Sequence, residues 1–237
     1  MPENYFGEAV AARYDNDAKI FDPAVVDPMV DFLAALAGEG AALEFAVGTG
    51  RIALPLAARG VPVQGIEFSE AMAARLRAKP GAEAVPVTIG DMATTRVEGT
   101  FTLVYLVFNT IGNLTTQDAQ VACFANAAAH LEPGGCFLIE TGFGMRTGQL
   151  SVFALSNTHV GVDEYDPATQ RLVSHHFSLV DGRWERISMP FRRVYPGELD
   201  LMARLAGMRL RERWGGWNRE PFTADSRKHV SIWEKPA

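Results

Sequence analysis

Two cysteines, Cys123 and Cys136, are too few for a disulfide framework or a zinc knuckle. No run of about 18 uncharged apolar residues is present, so no membrane span is expected. The opening Met-Pro-Glu-Asn lacks a basic region followed by an apolar stretch. No signal peptide is expected there, and a cytoplasmic location is. Lysine is scarce, at positions 19, 79, 228 and 235 alone, and the formal net charge is −6. A nucleic-acid binder wants a basic face, so none is expected here. No pair of His, Asp or Glu at helical ligand spacing stands beside a Cys or His partner, so no metal is expected. Disorder is excluded by a composition that is 48% hydrophobic and 10% aromatic. The 237 residues suffice for a proper core and exceed what one minimal α/β sheet domain needs.

The hydrophobic periodicity changes along the chain. Residues 1–40 read as a helical arm, with Ala9, Val10 and Tyr14 at helical spacing. A second stripe runs through Val25, Val26, Met29, Val30, Leu33 and Leu36, ended by Gly38 and Gly40. Strands are then expected at Ala42–Val47, Val61–Ile66, Val85–Ile89, Phe101–Phe108 and Cys136–Ile139. Helices are expected between them, one capped by Ser69 and one by Thr115 or Thr116. Five alternations predict an α/β fold with a Rossmann-like, doubly wound, mostly parallel sheet. Near residue 150 the helices stop. Val152–Val160, Leu172–Val180 and Trp184–Phe191 read as an antiparallel β insertion spanning 143–192. A helix near Gly197–Leu205 and the strands Arg209–Trp214 and Val230–Glu234 return to the sheet, making seven strands. The core is therefore 41–142 with 193–237.

Chemistry concentrates where strands meet helices. Glu44-Phe-Ala-Val-Gly48-Thr-Gly50 joins the first strand to its helix, and glycines there allow a sharp turn close to a ligand. Glu67 ends the second strand and Asp91 the third, so three acids converge on the edge where open α/β sheets bind ligands. Gly48-x-Gly50-x-x-Ala53 also fits a dinucleotide fingerprint, with Glu67 in the place of the ribose acid. Against a nicotinamide dinucleotide stands Glu44, which would repel a pyrophosphate yet could face a cationic amine. Gly90-Asp91-Met92 adds another acidic strand end, and the sheet closes in a strand pair.

Taken together, Glu44–Gly50, Gly65-Ile-Glu67-Phe-Ser69, Gly90-Asp91-Met92 and Leu131-Glu-Pro-Gly-Gly135 resemble the class I S-adenosylmethionine-dependent methyltransferases. The layout is also similar to the sugar N,N-dimethyltransferases of macrolide biosynthesis. One departure is Ala46, where the family pattern usually has glycine. The resemblance implies the fold, S-adenosylmethionine as cofactor, and methyl transfer by in-line displacement to a small-molecule acceptor, on nitrogen or oxygen. It implies that Glu67 holds the ribose hydroxyls and Asp91 the adenine amino group, with Phe68 and Met92 nearby. Ala46, Gly48 and Gly50 would approach the methionine part, with Glu44 on its cationic side. Val107 and Phe108 would close the site, and Tyr14 would fold over it. A homodimer through the arm or the insertion is a further expectation. The alternatives are a cofactor-binding fold repurposed for sensing or other catalysis, and an oxidoreductase.

Acceptor-side candidates are less specific. Asn109, His175 and His176 are candidate catalytic groups, the histidines as possible bases. They are adjacent on one strand, so each faces a different way. Asn113 and Glu140 lie on the ligand rim, and Arg192 with Arg193 could bind an acidic acceptor. Trp217 and His229 bracket a long loop expected at the pocket mouth. His130, at a helix end, reads as a favourable cation. The cysteines read as small buried hydrophobes.

Overall fold

The computed structural model describes residues 5–16, 20–142 and 149–237. The first four residues of the expected arm, residues 17–19, and the first six of the expected insertion lie outside the described residues. Helices α1 (Glu8–Tyr14) and α2 (Pro23–Ala37) precede the sheet. Asp22 caps α2 by accepting from the Ala24 N–H at 2.9 Å, with Pro23 in the first turn, where its missing N–H costs nothing. Of the expected stripe, Val26, Met29, Val30 and Leu33 are buried and Leu36 is half-buried, while Val25, in the first turn, is exposed.

Next come β1 (Ala42–Phe45), α3 (Ala53–Ala58), β2 (Val63–Glu67), α4 (Glu70–Arg77), β3 (Val87–Ile89) and β4 (Phe101–Leu106). They are followed by α5 (Gln117–His130) and β5 (Leu131–Gly142). After the insertion come α6 (Pro196–Leu205), β10 (Arg209–Trp214) and β11 (Lys228–Glu234). The sheet order is β10-β11-β5-β4-β1-β2-β3, parallel from β3 to β5 and antiparallel at β11 and β10. β1 pairs with both β2 and β4, so the chain leaves it in opposite directions and a crevice opens at that point.

Alternate residues of the central strands face two cores. Leu103, Tyr105 and Leu138 pack with α2 and α3, while Val104, Leu106 and Phe137 pack with α5 and α6. On the second face Phe124 stands edge-on to Phe137 at 5.1 Å and to Trp233 at 5.3 Å. Each such aromatic contributes about 1.5–3 kcal/mol of burial, so this cluster anchors α5 to the sheet.

Some expectations need correction. β5 starts five residues early, at Leu131, and absorbs Pro133-Gly134-Gly135 where its register with β4 shifts. His130 is no cation: its Nε2 accepts from the Val97 N–H at 3.1 Å and its Nδ1 meets the Asn126 carbonyl at 2.8 Å. The first contact requires an unprotonated Nε2 and so the neutral ring, whose Nδ1–H donates to the carbonyl, and burial lowers its pKa. The insertion has four strands among the described residues, not three: β6 (Leu150–Leu155), β7 (His159–Asp166), β8 (Arg171–Val180) and β9 (Arg183–Arg192). The stretch Val152–Val160 is interrupted at Ser156, whose hydroxyl accepts from the His159 N–H at 2.9 Å and closes a turn.

Candidate active site

The turn after β1 is built on left-handed backbone. Ala46 (φ 53°), Gly48 (φ 60°) and Gly50 (φ 81°) all adopt it. At Ala46 a methyl group sits where glycine would be unstrained. A Cβ on Gly65 would lie 2.7 Å from the Val47 side chain, so glycine there lets β2 approach the turn. That approach puts the Glu67 carboxylate against the loop. It accepts from the Gly48 N–H and from the Ser69 N–H, each at 2.8 Å. Burial raises the Glu67 pKa, while these N–H groups oppose the rise.

A cavity of about 370 Å³ opens beside this turn. Its wall includes Ala46, Gly48, Glu67, Phe68, Asp91, Met92 and Tyr14, all expected at the cofactor, and Asn113, expected at the acceptor. The arm closes one side. Asp15 accepts from the Thr49 hydroxyl at 2.6 Å and pairs with Lys79 at 2.7 Å, while the Ser69 hydroxyl donates to the Phe6 carbonyl at 2.5 Å. Tyr14 is thereby held over the turn, and burial raises its pKa, so its hydroxyl stays protonated. Asp91 accepts from the Ala93 N–H at 2.8 Å, which fixes its carboxylate at the end of β3.

Other expected cofactor residues lie beneath or behind the wall. Glu44 is 3% exposed, accepts from the Tyr105 hydroxyl at 2.9 Å, and is pushed up to about pKa 8 by burial. Gly50 packs on Leu54 and Leu76. Val107 is buried in the core that contains α2 and α3. Phe108, with φ 63°, turns its ring under the Arg51 guanidinium at 4.5 Å. The backbone there is held by β5: the Phe108 N–H donates to Glu140 Oε2 at 2.7 Å, and Asn109 Oδ1 accepts from the Gly142 N–H and the Thr141 hydroxyl. Glu140 is thus a clamp on the strand end, buried with a raised pKa, and does not line this cavity.

The remaining candidates are not brought to the cavity. His175 contacts the Ser188 hydroxyl at 2.8 Å and Glu164 at 3.5 Å. His176 stacks against His159, with ring nitrogens 3.2 Å apart. Arg192 is buried and donates to Gln120, Gln170 and Glu198 at 2.5–2.6 Å. Trp217 packs edge-on against Phe32 of α2 at 5.7 Å, because the loop folds back over that helix and not over the pocket. His229 is fully buried in β11 with its Nδ1 2.7 Å from the Ser231 hydroxyl, and burial lowers its pKa to about 4.

Sequence reasoning missed several wall residues: Tyr5 and Phe6 before α1, Thr110 after β4, and Met189-Pro190-Phe191 at the end of β9. It also missed Arg51, which is 9% exposed and close enough to Glu44 and Glu140 to favour their ionised forms. Its position directly after Gly50 was the available signal. Among the described residues no group of three His, Cys, Asp or Glu could hold a metal ion, and no helix is long and apolar enough to cross a membrane.

Comparison with known proteins agrees with this geometry. The family described as a methyltransferase domain matches residues 42–135. The solved structure of the CcbJ methyltransferase from Streptomyces caelestis superposes with a TM-score of 0.89 at 36% identity, covering 100% of both chains. The cypemycin N-terminal methyltransferase of a Streptomyces species is 27% identical over 203 residues, 81% of this chain and 82% of that one. The dTDP-3-amino-3,4,6-trideoxy-alpha-D-glucopyranose N,N-dimethyltransferase of Streptomyces venezuelae is 31% identical over 157 residues, 66% of this chain and 62% of that one. With its turn, its strand-end acids and its sheet order all accounted for, the chain belongs to the class I S-adenosylmethionine-dependent methyltransferases.

Proposed function

We propose that the chain methylates an amine nitrogen of a small-molecule acceptor in specialised metabolism. The observation that carries this reading is one shared space: the cavity that meets Glu67 and Asp91 is also walled by Tyr14 of the arm and Met189–Phe191 of the insertion. The donor set suits the cofactor. Glu67 keeps lone pairs beyond the two N–H groups it accepts, enough for two ribose hydroxyls, and Asp91 Oδ2 suits an amino group. Ile66, Phe68, Met72 and Met92 would sandwich the adenine ring. S-adenosylmethionine, when bound, supplies an activated methyl group on a sulfonium.

The chain's own residues then have a small task. They must hold the acceptor nitrogen in line and keep water out. Among the described residues the cavity wall carries no histidine or lysine, which suits a neutral amine that attacks with its own lone pair, the sulfur leaving as the thioether and the methylated ammonium shedding its proton to solvent afterwards. An alcohol would need a base there. The neutral Tyr14 hydroxyl can accept or donate a hydrogen bond and so orient that nitrogen. Two relatives are named as acting on nitrogen, a peptide N-terminus and an aminosugar, which supports the same reading.

In this reading the arm (1–40) is a lid, the core (41–142 with 193–237) the cofactor floor, and the insertion (143–192) the acceptor roof. The edge strand β6 leaves Leu150, Val152 and Leu155 62–80% exposed, which supports self-association through the insertion. Two free cysteines, both buried, fit a reducing cytoplasm. Incubation with methyl-labelled S-adenosylmethionine tests the reading, using an aminosugar and its hydroxyl analogue as acceptors. Label in the amine alone is expected; label in the alcohol alone overturns it.

A further inference from the structure

The arm is the wall of the methyl-transfer cavity with the least apolar burial behind it. Its helix α1 is seven residues long, starts at Gly7 without a side-chain cap, and has Ala11 as its one fully buried residue. A free helix of that length is marginal in water. The facing walls are firmer. The strand ends belong to the sheet, and Met189–Phe191 stand beside the buried Arg192 tie to α5 and α6. A ligand that fills the cavity therefore enters and leaves by displacing the arm, and the contacts that hold α1 set how readily it opens.

Asp15, the residue after Tyr14, caps the end of α1. Its carboxylate meets two partners from different elements. Oδ1 accepts from the Thr49 hydroxyl at 2.6 Å, and Oδ2 pairs with the Lys79 ammonium at 2.7 Å. Lys79 also donates to the Thr49 carbonyl at 2.8 Å, so the three residues close a polar ring. Thr49 is 1% exposed and stands between Gly48 and Gly50, which anchors the ring in the glycine turn itself. Lys79 follows α4, where its N–H donates to the Leu76 carbonyl at 2.9 Å, and its ammonium lies 5.3 Å over the Phe21 ring ahead of α2. Asp15, Thr49 and Lys79 do not line the cavity; Tyr14, which Asp15 holds, does. The ion pairs Glu8–Arg75 at 3.4 Å and Arg13–Glu185 at 3.8 Å also touch α1, but their side chains are 45–77% exposed and hold weakly.

We infer that Asp15 and Lys79 are positioning residues: through Thr49 they latch the arm, and Tyr14 with it, over the cofactor, and the latch sets the rate at which cofactor is exchanged. The inference rests on the methyl-transfer reading above for what the cavity holds. Methyl transfer leaves S-adenosylhomocysteine behind, and this product must depart before another methyl group can be delivered. A tighter latch slows that departure, and a looser one admits water to the reacting centre.

Two measurements on the full chain test this. Surface plasmon resonance with S-adenosylhomocysteine as the probe reads the association and dissociation rates. Trypsin cleavage after the exposed Arg13 reads arm opening with no ligand present. Lys79→Met keeps the side-chain stem and removes the ammonium. It is expected to raise both the dissociation rate and Arg13 cleavage about tenfold or more, about 1.4 kcal/mol, while the urea midpoint moves little. Lys79→Arg keeps the cation and is expected to stay within about twofold of the natural chain. The double variant Asp15→Asn with Lys79→Met is expected to match the stronger single variant, because one ring is broken once. A lowered urea midpoint without faster dissociation, effects that add in the double variant, or no rescue by Lys79→Arg overturns the inference. If Lys79→Met does not fold, Asp15→Asn, at an exposed position, carries the same two readouts and decides alone. Absence of S-adenosylhomocysteine binding by the natural chain would count against the methyl-transfer reading instead, and Arg13 cleavage still decides the latch.

Discussion

The Gly48 backbone N–H donates to the Glu67 carboxylate at 2.8 Å, joining the turn after β1 to the end of β2 across 19 residues of sequence. The same carboxylate accepts from the Ser69 N–H, so one acid fixes two loops and still faces the cavity. The turn is therefore organised before any ligand arrives, which lowers the cost of binding one.

Glu44 gives the molecule a pH signature. Burial holds its carboxyl at about 8 in the folded chain, against an ordinary value of 4.5. Between those values the folded state keeps a proton that the unfolded state has lost, so stability falls as pH rises. Glu44→Gln removes this contribution. Urea denaturation at several pH values should show the variant losing less stability than the natural chain between about pH 5 and pH 8. Parallel pH profiles would contradict the assignment.

Ala46 carries backbone strain. Its φ of 53° costs an L-residue about 1–2 kcal/mol, while glycine adds roughly 0.5–1 kcal/mol of unfolded-state entropy. Ala46→Gly should therefore raise stability by about 0.5–1 kcal/mol, read from the urea midpoint at constant slope. A loss of stability would mean that the methyl group makes packing contacts worth more than the strain.

Arg192 ties the insertion to α5 and α6 through Gln120 and Glu198. Its side chain is 7% exposed and that of Glu198 18%, so removing the cation leaves a half-buried carboxylate and two amides without their partner. Arg192→Met should cost about 2–4 kcal/mol, somewhat below the full range for a wholly buried pair. Thermal unfolding of the variant checks this; a change below about 0.5 kcal/mol would assign the pair to the surface class.

Much of the fold was legible because local signals agreed. Phe101–Leu106 is an apolar run covered on both faces, and Ser69 and Thr116 both cap the helices they precede. The fourth inserted strand was not legible. Its turn at Ser156-Asn157-Thr158 has neither glycine nor proline, and β6 exposes the apolar residues that usually mark burial. At the site, strand ends were readable because the topology brings Glu67, Asp91 and the glycine turn to one edge. Trp217 and His229 were not, since a loop's fold-back onto α2 and the inward face of β11 are decided by tertiary contacts. Glu44 shows the same limit: an acid at a strand end can lie under the floor of a cavity instead of in it.

The central claim is that Glu67 and the Gly48 turn form the S-adenosylmethionine site. Isothermal titration of the natural chain and of Glu67→Ala with S-adenosylmethionine tests it most directly. The account predicts submillimolar binding to the natural chain, weakened more than tenfold, about 1.4 kcal/mol or more, by the substitution. No binding by the natural chain up to about a millimolar, or equal affinity for a folded Glu67→Ala, would contradict it.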